Sequence, residues 1–373
     1  MQIARSEGMR PQESVAAASA IAGRIMALDA VVDADGRYPA PALALLADAG
    51  LLVDPLPPNA GGFGIGMLPD TVAAAAALLG IIGGASLALG RLYEGHVNAV
   101  RLAAHYGGAA PLATIALAAR SGAISGVWNA QRDAGLVATR VRGGWRLDGG
   151  KIFCSGAGHI AQPIVTAQAA GEDGPRMFLI DGRTPGVVAD IAAWRAAGMR
   201  GSATGTVTFD GHLVPEDMAI GGPGDYYRAP LFAGGAWRVL AVQLGALERI
   251  LALHVMALRE SGRGGDAVVR ARLADAAGDV ELARLLTMAA AQRAEDAGGD
   301  PAARTAYVDL ARTSFERLAL QVIAATRRNV GLASFIAPAP LDRIIRDLET
   351  YLRQPFLDAS RDHVAQRLLA VRP

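Results

Sequence analysis

LDGGKIFCSG, residues 147–156, is the segment that decides the fold, because it combines two β-like runs and a glycine turn in a chain otherwise rich in helix-forming residues. It contains Lys151, the only lysine, and Cys154, the only cysteine; every other strong base is arginine. Two interpretations of Lys151 are open: its presence is due to chance, or its position requires a compact ammonium rather than a planar guanidinium. The aromatic ring of Phe153 and the hydroxyl of Ser155 follow at once, an arrangement typical of a binding site.

Short β-rich runs continue on both sides of this segment, and helical patterns lie beyond them. The runs are residues 135–141, 144–153, 164–169, 177–181 and 205–209, which predicts a small antiparallel barrel or sandwich. Apolar residues at three- and four-residue spacing predict helices before residue 121 and after residue 230. We therefore expect an α+β, mainly α fold: an N-terminal helical domain (1–121), a central β-domain (122–224) and a C-terminal four-helix bundle (225–373).

Charge and composition exclude several classes of partner. The 373 residues carry a net charge of +1, from 36 basic and 35 acidic residues that are interspersed, so no electrostatic footprint for nucleic acid exists. One cysteine forms neither an internal disulfide nor a cysteine-based zinc site, and no histidine spacing indicates a metal. The polar start after Met1 makes a cytoplasmic location the default expectation.

Residues 71–90 are uncharged and about long enough to span a bilayer. They are rich in Ala and Gly rather than Leu and Ile, contain Gly83-Gly84, and are closed by Arg91 and Glu94. The segment therefore predicts two buried helices, or one long kinked helix, and no membrane association.

The order and size of the three predicted domains resemble those of the acyl-CoA dehydrogenase family of FAD-dependent flavoproteins, over nearly the whole chain. Four segments carry the likeness: residues 45–51 with Pro58 and Gly61-Gly62-Phe63-Gly64; residues 199–209 with Val214-Pro215; residues 280–284; and residues 340–347. The last contains the family's Arg-Asp pair as Arg346-Asp347.

The resemblance implies how FAD is bound. Phe153 takes the position of the tryptophan that packs beside the isoalloxazine ring, and Ser155 that of the threonine beside the flavin edge, with Cys154 between them. Trp128 and Asn129 take the place of the family's flavin-contacting strand. The alternatives are that Phe153 and Trp128 belong to the protein core and that Ser155 is a turn residue.

A second flavin contact is implied near the C-terminus. Arg328, Gly331 and Ser334 align without gaps with a family loop that meets the FAD diphosphate of a neighbouring subunit. An arginine there would neutralise the diphosphate, and a glycine would permit close approach. The resemblance therefore implies a homodimer or a homotetramer.

The catalytic base is where this sequence departs from the family. Counting from Arg346 places Pro355 at the usual glutamate position, and Tyr227, before a matching Arg228, at the alternative one. A tyrosine would need a nearby cation such as Arg228 to act as a base at neutral pH. Glu94, with His96 close by, is the remaining interior candidate; its alternative interpretation is a solvated helix end.

The first functional hypothesis is therefore α,β-dehydrogenation of an acyl thioester, either free acyl-CoA or carrier-bound, with electron-transfer flavoprotein as the expected acceptor and a place in fatty acid metabolism. The alternatives are a flavin-dependent monooxygenase of the same fold, which needs no glutamate base, and a non-catalytic family member that binds little or no FAD.

Overall fold

The computed structural model describes residues 11–132, 135–296, 298–353 and 355–370, and it is mainly helical around a central mixed sheet. The helices are α1 (Pro11–Asp35), α2 (Ala40–Asp48), α3 (Val72–Ala85), α4 (Leu87–Tyr106), α5 (Ala109–Arg120), α6 (Leu231–Gly234), α7 (Trp237–Glu260), α8 (Ala267–Glu295), α9 (Pro301–Val330), α10 (Pro340–Tyr351) and α11 (Leu357–Ala370). The strands are β1 (Ser125–Trp128), β2 (Leu136–Val141), β3 (Gly144–Cys154), β4 (Gln162–Ala169), β5 (Arg176–Leu179), β6 (Val187–Asp190), β7 (Gly205–Pro215) and β8 (Ala219–Ile220). The predicted fold class is confirmed.

The uncharged segment 71–90 forms α3 and the start of α4, as predicted for two buried helices. Ser86 separates them, and its hydroxyl caps α4 by accepting a hydrogen bond from the backbone N–H of Leu89 at 3.2 Å. Glycine allows α3 to lie directly against α7 of the C-terminal bundle. A β-carbon on Gly245 would lie 1.8 Å from the carbonyl oxygen of Gly80, so the two helices meet backbone to backbone.

The strands form an eight-stranded sheet in the order β6-β7-β3-β2-β4-β5-β8, with β1 also paired to β4. Both β1 and β2 run parallel to β4, whereas the other pairs are antiparallel. The expectation of a purely antiparallel domain is therefore wrong. β4 pairs with β1 through its first half and with β2 through its last residues, and such non-local pairing leaves no mark on the pattern within each strand.

The C-terminal helices pack around buried aromatic and aliphatic residues such as Trp237 and Phe315, both fully buried. Helices α7, α8 and α9 contact one another, α10 packs on α7, and α11 packs on α9. Two helices, Pro11–Asp35 and Trp237–Glu260, have the length and apolar composition of a membrane span. Most of the second is buried inside the protein, so these properties alone are weak evidence for a membrane.

Candidate functional site

The end of β3 presents an aromatic ring to the surface. The register between β3 and β7 shifts between Lys151 and Cys154, which forms a bulge. Phe153 lies in this bulge with φ +54°, a left-handed conformation that side chains rarely adopt, and it is 57% exposed. Its ring meets the edge of Trp194, with centroids 6.3 Å apart. This exposure excludes a core role for Phe153 and indicates a ring held out for a ligand.

Hydroxyl groups lie beside this ring. The buried indole of Trp128 donates from Nε1 to the carbonyl oxygen of Ser155 at 3.0 Å, so Trp128 is a core residue that fixes the chain after β3. The Ser155 hydroxyl lies 3.5 Å from that of Thr204, which shares a 2.7 Å hydrogen bond with the hydroxyl of Ser202. The three hydroxyls form one small polar cluster at the base of the bulge.

A cavity of about 330 Å³ opens next to this cluster. Trp194 and Thr204 line it and connect it to Phe153 and to the hydroxyls, while Arg195 and Arg200 give its wall positive charge. Aromatic, hydroxyl and guanidinium groups together suit a planar polar ligand or one that carries an anionic group.

Asn129 and Tyr227, two residues singled out in the sequence, meet in the structure. The Asn129 amide nitrogen lies 3.0 Å from the Tyr227 hydroxyl oxygen, and Tyr227 is 50% exposed. Arg228 instead forms an ion pair with Asp225 at 2.6 Å. Its side chain is 67% exposed, so the guanidinium is a surface group paired within its own turn.

Lys151 lies fully buried beneath Asn129. Its ammonium donates to the Asn129 carbonyl oxygen at 2.9 Å, to Oε1 of Gln131 at 2.8 Å and to the hydroxyl of Thr166 at 2.9 Å. Burial lowers the pKa of Lys151 to about 8. The neighbouring Cys154 thiol is also buried, which raises its pKa to about 12 and keeps it neutral. Any contact of Cys154 with a cofactor would therefore use its backbone.

Glu94 is buried inside the helical domain, so it is not a solvated helix end. Its carboxylate accepts from Arg91 at 2.5 Å and from the amide of Asn98. The buried Tyr226 phenol lies within the electrostatic reach of both Arg91 and Glu94, and burial raises its pKa well above the ordinary range. Glu94 therefore lies behind the Tyr226-Tyr227 pair, already engaged by two partners.

His96 connects α4 to its neighbours. Its Nδ1 accepts from the backbone N–H of Ser125 at 3.1 Å, which assigns the proton to Nε2, 2.8 Å from the Leu52 carbonyl oxygen. Burial lowers the pKa of His96 to about 4, so the ring is neutral. This arrangement is structural and docks α4 on the first strand of the sheet.

Glu94 belongs to a polar row along α4, formed by Arg91, Glu94, Asn98 and Arg101 at spacings of three and four residues. The row ends at the buried Glu295, which pairs with Arg101. Glu295 also accepts from the Trp237 indole at 2.9 Å and pairs with the buried Arg238 at 3.3 Å. The mainly apolar interior around α4 therefore also contains a row of paired charges.

The three residues assigned to the FAD diphosphate lie at the end of α9. Arg328 is exposed, while Ser334 is buried and donates its hydroxyl to the Gly331 carbonyl oxygen at 2.7 Å. Gly331 has φ +77°, which explains the need for glycine there. Arg328 remains available for an anionic group, whereas the Ser334 hydroxyl stabilises its own turn.

Sequence reasoning missed four residues that complete the site: Trp194, Thr204, Thr166 and Arg91. Arg91 could have been found, because it stands one helical turn before Glu94. Thr166 is brought beside Asn129 by the parallel register in which Trp128 pairs with Val165, and Trp194 and Thr204 come from a long connection between β6 and β7. No local pattern signals these contacts.

The groups near the bulge fit a flavin ring. An exposed aromatic face, hydroxyl donors and an amide that both donates and accepts match a planar ring with polar edges, and they are contributed by Phe153, Ser155, Thr204 and Asn129. The strained backbone at Phe153 shows that the aromatic face is maintained at a cost. Among the described residues, no group of histidine, cysteine or carboxylate side chains could hold a metal ion.

Comparison with known families gives two matches. Residues 129–212 match the family described as "Acyl-CoA dehydrogenase, middle domain", and residues 226–352 match "Acyl-CoA dehydrogenase, C-terminal domain". Together these segments cover more than half of the chain.

Individual relatives carry out different reactions. The chain is 30% identical to the L-evernosamine nitrososynthase of a Micromonospora species over 356 residues, which are 87% of this chain and 82% of that protein. It is 28% identical to the mitochondrial 2-methylacyl-CoA dehydrogenase of Solanum tuberosum over 228 residues, 57% of this chain and only 53% of that protein. Among solved structures, the FMN-bound dibenzothiophene monooxygenase TdsC of a Paenibacillus species superimposes with a TM-score of 0.85 at 20% identity, over 96% of this chain and 98% of that one.

Proposed function

Because the chain belongs to the acyl-CoA dehydrogenase family of flavoproteins, we propose that it is a flavin-dependent oxidoreductase whose reaction is monooxygenation of a small polar molecule. The proposed cofactor is a flavin, either FMN or FAD. The observation that carries the proposal is that no carboxylate is placed to remove a proton from a substrate at the family's base positions.

Both family positions for the base hold other residues. Pro355 has no ionisable side chain, and its carbonyl oxygen accepts from Arg312 at 3.0 Å. Tyr227 is hydrogen-bonded to Asn129, and Arg228, the cation that could assist it, is paired with Asp225 on the surface. Dehydrogenation, which needs a base at the α-carbon, therefore lacks its usual group.

Glu94 does not replace the missing base. It is 1% exposed and bound by Arg91 and Asn98, so proton abstraction would require both partners to be released. The choice of a compact polar substrate is supported by the cavity beside Phe153, which is lined by Thr204, Arg195 and Arg200.

The relatives support this choice. The nitrososynthase matches most of both chains, and the fold of the monooxygenase TdsC covers nearly the entire molecule. The first-listed dehydrogenase matches over little more than half of either chain. Among these curated relatives the nitrososynthase therefore matches over the longer span, whereas solved structures of dehydrogenases and of the monooxygenase cover this fold alike.

In this proposal the residues of the bulge bind and orient the flavin. Phe153 packs against the ring, Ser155 and Thr204 donate hydrogen bonds to its edge, Asn129 serves its pyrimidine edge and Arg328 of a second subunit neutralises phosphate. When bound, the flavin supplies two-electron chemistry and, once reduced, activation of dioxygen. Overall, one oxygen atom of O₂ enters the substrate and the other leaves as water, with two electrons from a separate NAD(P)H-dependent reductase and two protons from solvent.

Acyl thioester dehydrogenation remains the second candidate, favoured by the match of residues 226–352 to the dehydrogenase C-terminal domain. In that case the acceptor would be an electron-transfer flavoprotein, and Tyr227 or Glu94 would have to act as the base. The protein would then join fatty acid metabolism.

One experiment separates the candidates. The purified protein is loaded with FMN or FAD and given a flavin reductase, NADH and ¹⁸O₂ with amino sugar nucleotides, indole and other nitrogen heterocycles, and products are analysed by mass spectrometry. Incorporation of one ¹⁸O atom supports monooxygenation. Bleaching of the oxidised flavin by acyl-CoA thioesters without oxygen would establish dehydrogenation instead, and failure to bind either flavin would point to a non-catalytic protein.

A further inference from the structure

We propose that Lys151 is a positioning residue that fixes the direction of a hydrogen-bond relay, Lys151 to Thr166 to Asn129 to Tyr227, and thereby holds the Asn129 amide in one orientation at the site. This inference rests on the proposed flavin site for its function, but the relay itself is defined by the protein alone.

The relay starts from an ammonium whose hydrogen bonds are all accounted for. An ammonium has three donors and no acceptor, and Lys151 has three oxygen partners at 2.8 to 2.9 Å. Each partner must therefore act as an acceptor towards Lys151. A planar guanidinium could not point three donors from one atom at three converging oxygens, which explains why this base alone is not arginine.

The direction of the next bond follows. The buried Thr166 hydroxyl accepts from Lys151, so its own hydrogen is available for Oδ1 of Asn129, 2.7 Å away. With Oδ1 of Asn129 accepting from Thr166, the Tyr227 hydroxyl oxygen lies 3.0 Å from the amide nitrogen and 3.1 Å from Oδ1, beside both ends of the amide. A cation inside the sheet thus determines which atom of the Asn129 amide faces Thr166, and this fixes the orientation of the amide beside Tyr227.

The relay depends on the charge of Lys151. A neutral amine can accept a hydrogen bond from Thr166, which would free Oδ1 of Asn129 and remove the preference for one amide orientation. No ion pair holds the ammonium among the residues that the structure describes. Among the described residues, the titratable groups facing it are the neutral Cys154 thiol on β3 and, at the far end, Tyr227 beside Arg228; its partners Asn129, Gln131 and Thr166 do not titrate.

The unique lysine makes the relay measurable. Incorporation of lysine labelled with ¹³C at Cε gives a single side-chain resonance, whose chemical shift is followed against pH in the full-length protein. We expect a midpoint near pH 8. The substitution Thr166→Val removes one acceptor from the ammonium and should lower the midpoint by about 0.5 pH units or more, a roughly threefold change in the acid dissociation constant.

A second variant tests transmission along the relay. Asn129→Leu keeps the backbone carbonyl that accepts from Lys151 but removes the side chain that orients Thr166. A relay predicts that this variant also lowers the midpoint, and that the double variant with Thr166→Val lowers it no further. A midpoint unchanged by Asn129→Leu, or additive effects of the two substitutions, would overturn the proposal.

Addition of FMN or FAD distinguishes the relay from the proposed function. If flavin binds at the site, it should shift the lysine resonance in the wild type and shift it less in Thr166→Val. Flavin that binds tightly without moving the resonance would contradict the coupling of the relay to the site. Absence of binding would refute the proposed function, while the two variants would still decide the relay.

Discussion

At the scale of single residues, the site is built from exceptions to ordinary side-chain behaviour. Phe153 is an exposed aromatic residue in a left-handed conformation. Lys151 is a fully buried cation that forms no ion pair with a carboxylate of the described residues. Their neighbourhood in the sequence indicated a site, because an aromatic and a hydroxyl follow the only lysine. The sequence could not show the bulge that turns Phe153 outwards, since the bulge depends on pairing with β7.

Phe153 should affect stability through its backbone conformation and flavin binding through its ring. Phe153→Gly removes the strain at φ +54°, so it should unfold with a free energy about 1 kcal/mol higher than Phe153→Ala, which keeps the strain. Both variants lose the ring and should weaken flavin binding about threefold to tenfold. Urea unfolding and flavin fluorescence titration measure the two quantities. Equal stability of the glycine and alanine variants would show that the conformation is not strained.

At the scale of secondary structure elements, α4 shows what periodicity reveals and what it hides. The composition of residues 71–90 predicted two buried helices or one long kinked helix, and the structure has the two helices α3 and α4 there. The partners that engage Glu94 became evident only when helical spacing placed Arg91 and Asn98 on the same face. In the same way, β-like runs predicted most strands, but the parallel pairing of β1 and β2 with β4 arises from crossovers that no single run records.

Glu94→Gln tests whether this carboxylate is structural. Loss of its charge leaves the partly buried Arg91 without its ion pair, and we expect the free energy of unfolding to fall by about 2 kcal/mol. Flavin affinity of the folded protein should change less than about twofold, a difference well below 1 kcal/mol. Chemical denaturation and flavin titration provide the measurements.

The matched control is Glu281→Gln. Glu281 and Arg284 form an ion pair with the same spacing and the same 2.5 Å distance as Glu94 and Arg91, but both side chains are about half exposed. Removing that surface pair should cost less than about 1 kcal/mol. A comparable loss of stability in the two variants would mean that burial of Glu94 contributes nothing.

At the scale of the whole molecule, the helical domain and the bundle are joined through glycine. The backbone contact between α3 and α7 leaves no space for side chains at Gly245 or Gly83. An abundance of Ala and Gly in the sequence indicated close-packed helices, but only the assembled fold shows that these glycines join elements more than 150 residues apart.

Gly245→Ala should therefore be strongly destabilising. Its β-carbon would lie 1.8 Å from the Gly80 carbonyl oxygen, so the helices must separate, and we expect a loss of about 3 kcal/mol or more. Gly278→Ala is the control, because Gly278 is exposed on α8 with no atom within 4 Å of the new methyl group. That change should stabilise the protein by up to about 1 kcal/mol through helix propensity. Thermal unfolding of both variants tests the contrast.

A second joint connects α1, α10 and the connection between β6 and β7. Asp347 accepts from the backbone N–H of Met199, while Arg346 pairs with Asp33 at 2.9 Å. Burial raises the pKa of Asp347 to about 7. Because the folded state holds this proton more tightly than the unfolded chain, the resulting stabilisation is complete below the ordinary value of 3.8 and is lost as the pH rises through 7.

Asp347→Asn should remove this part of the pH dependence. The amide oxygen can still accept from Met199, and the side chain stays neutral at every pH. Urea unfolding between about pH 4 and pH 8 should show wild-type stability falling relative to the variant as the pH increases. Asp358→Asn, at a side chain that is 95% exposed, serves as control and should follow the wild-type profile. Parallel profiles for wild type and Asp347→Asn would contradict the assignment.

The burial of Lys151 also gives the protein an unusual chemical surface. With a single ε-amine in the sequence, and that amine 1% exposed, acylating reagents find no lysine on the folded exterior. Lys151 can be modified only when the sheet around it opens. The rate at which an amine-reactive ester labels this residue therefore reports how often the β-domain opens. A bound flavin that stabilises the closed sheet would lower this labelling rate.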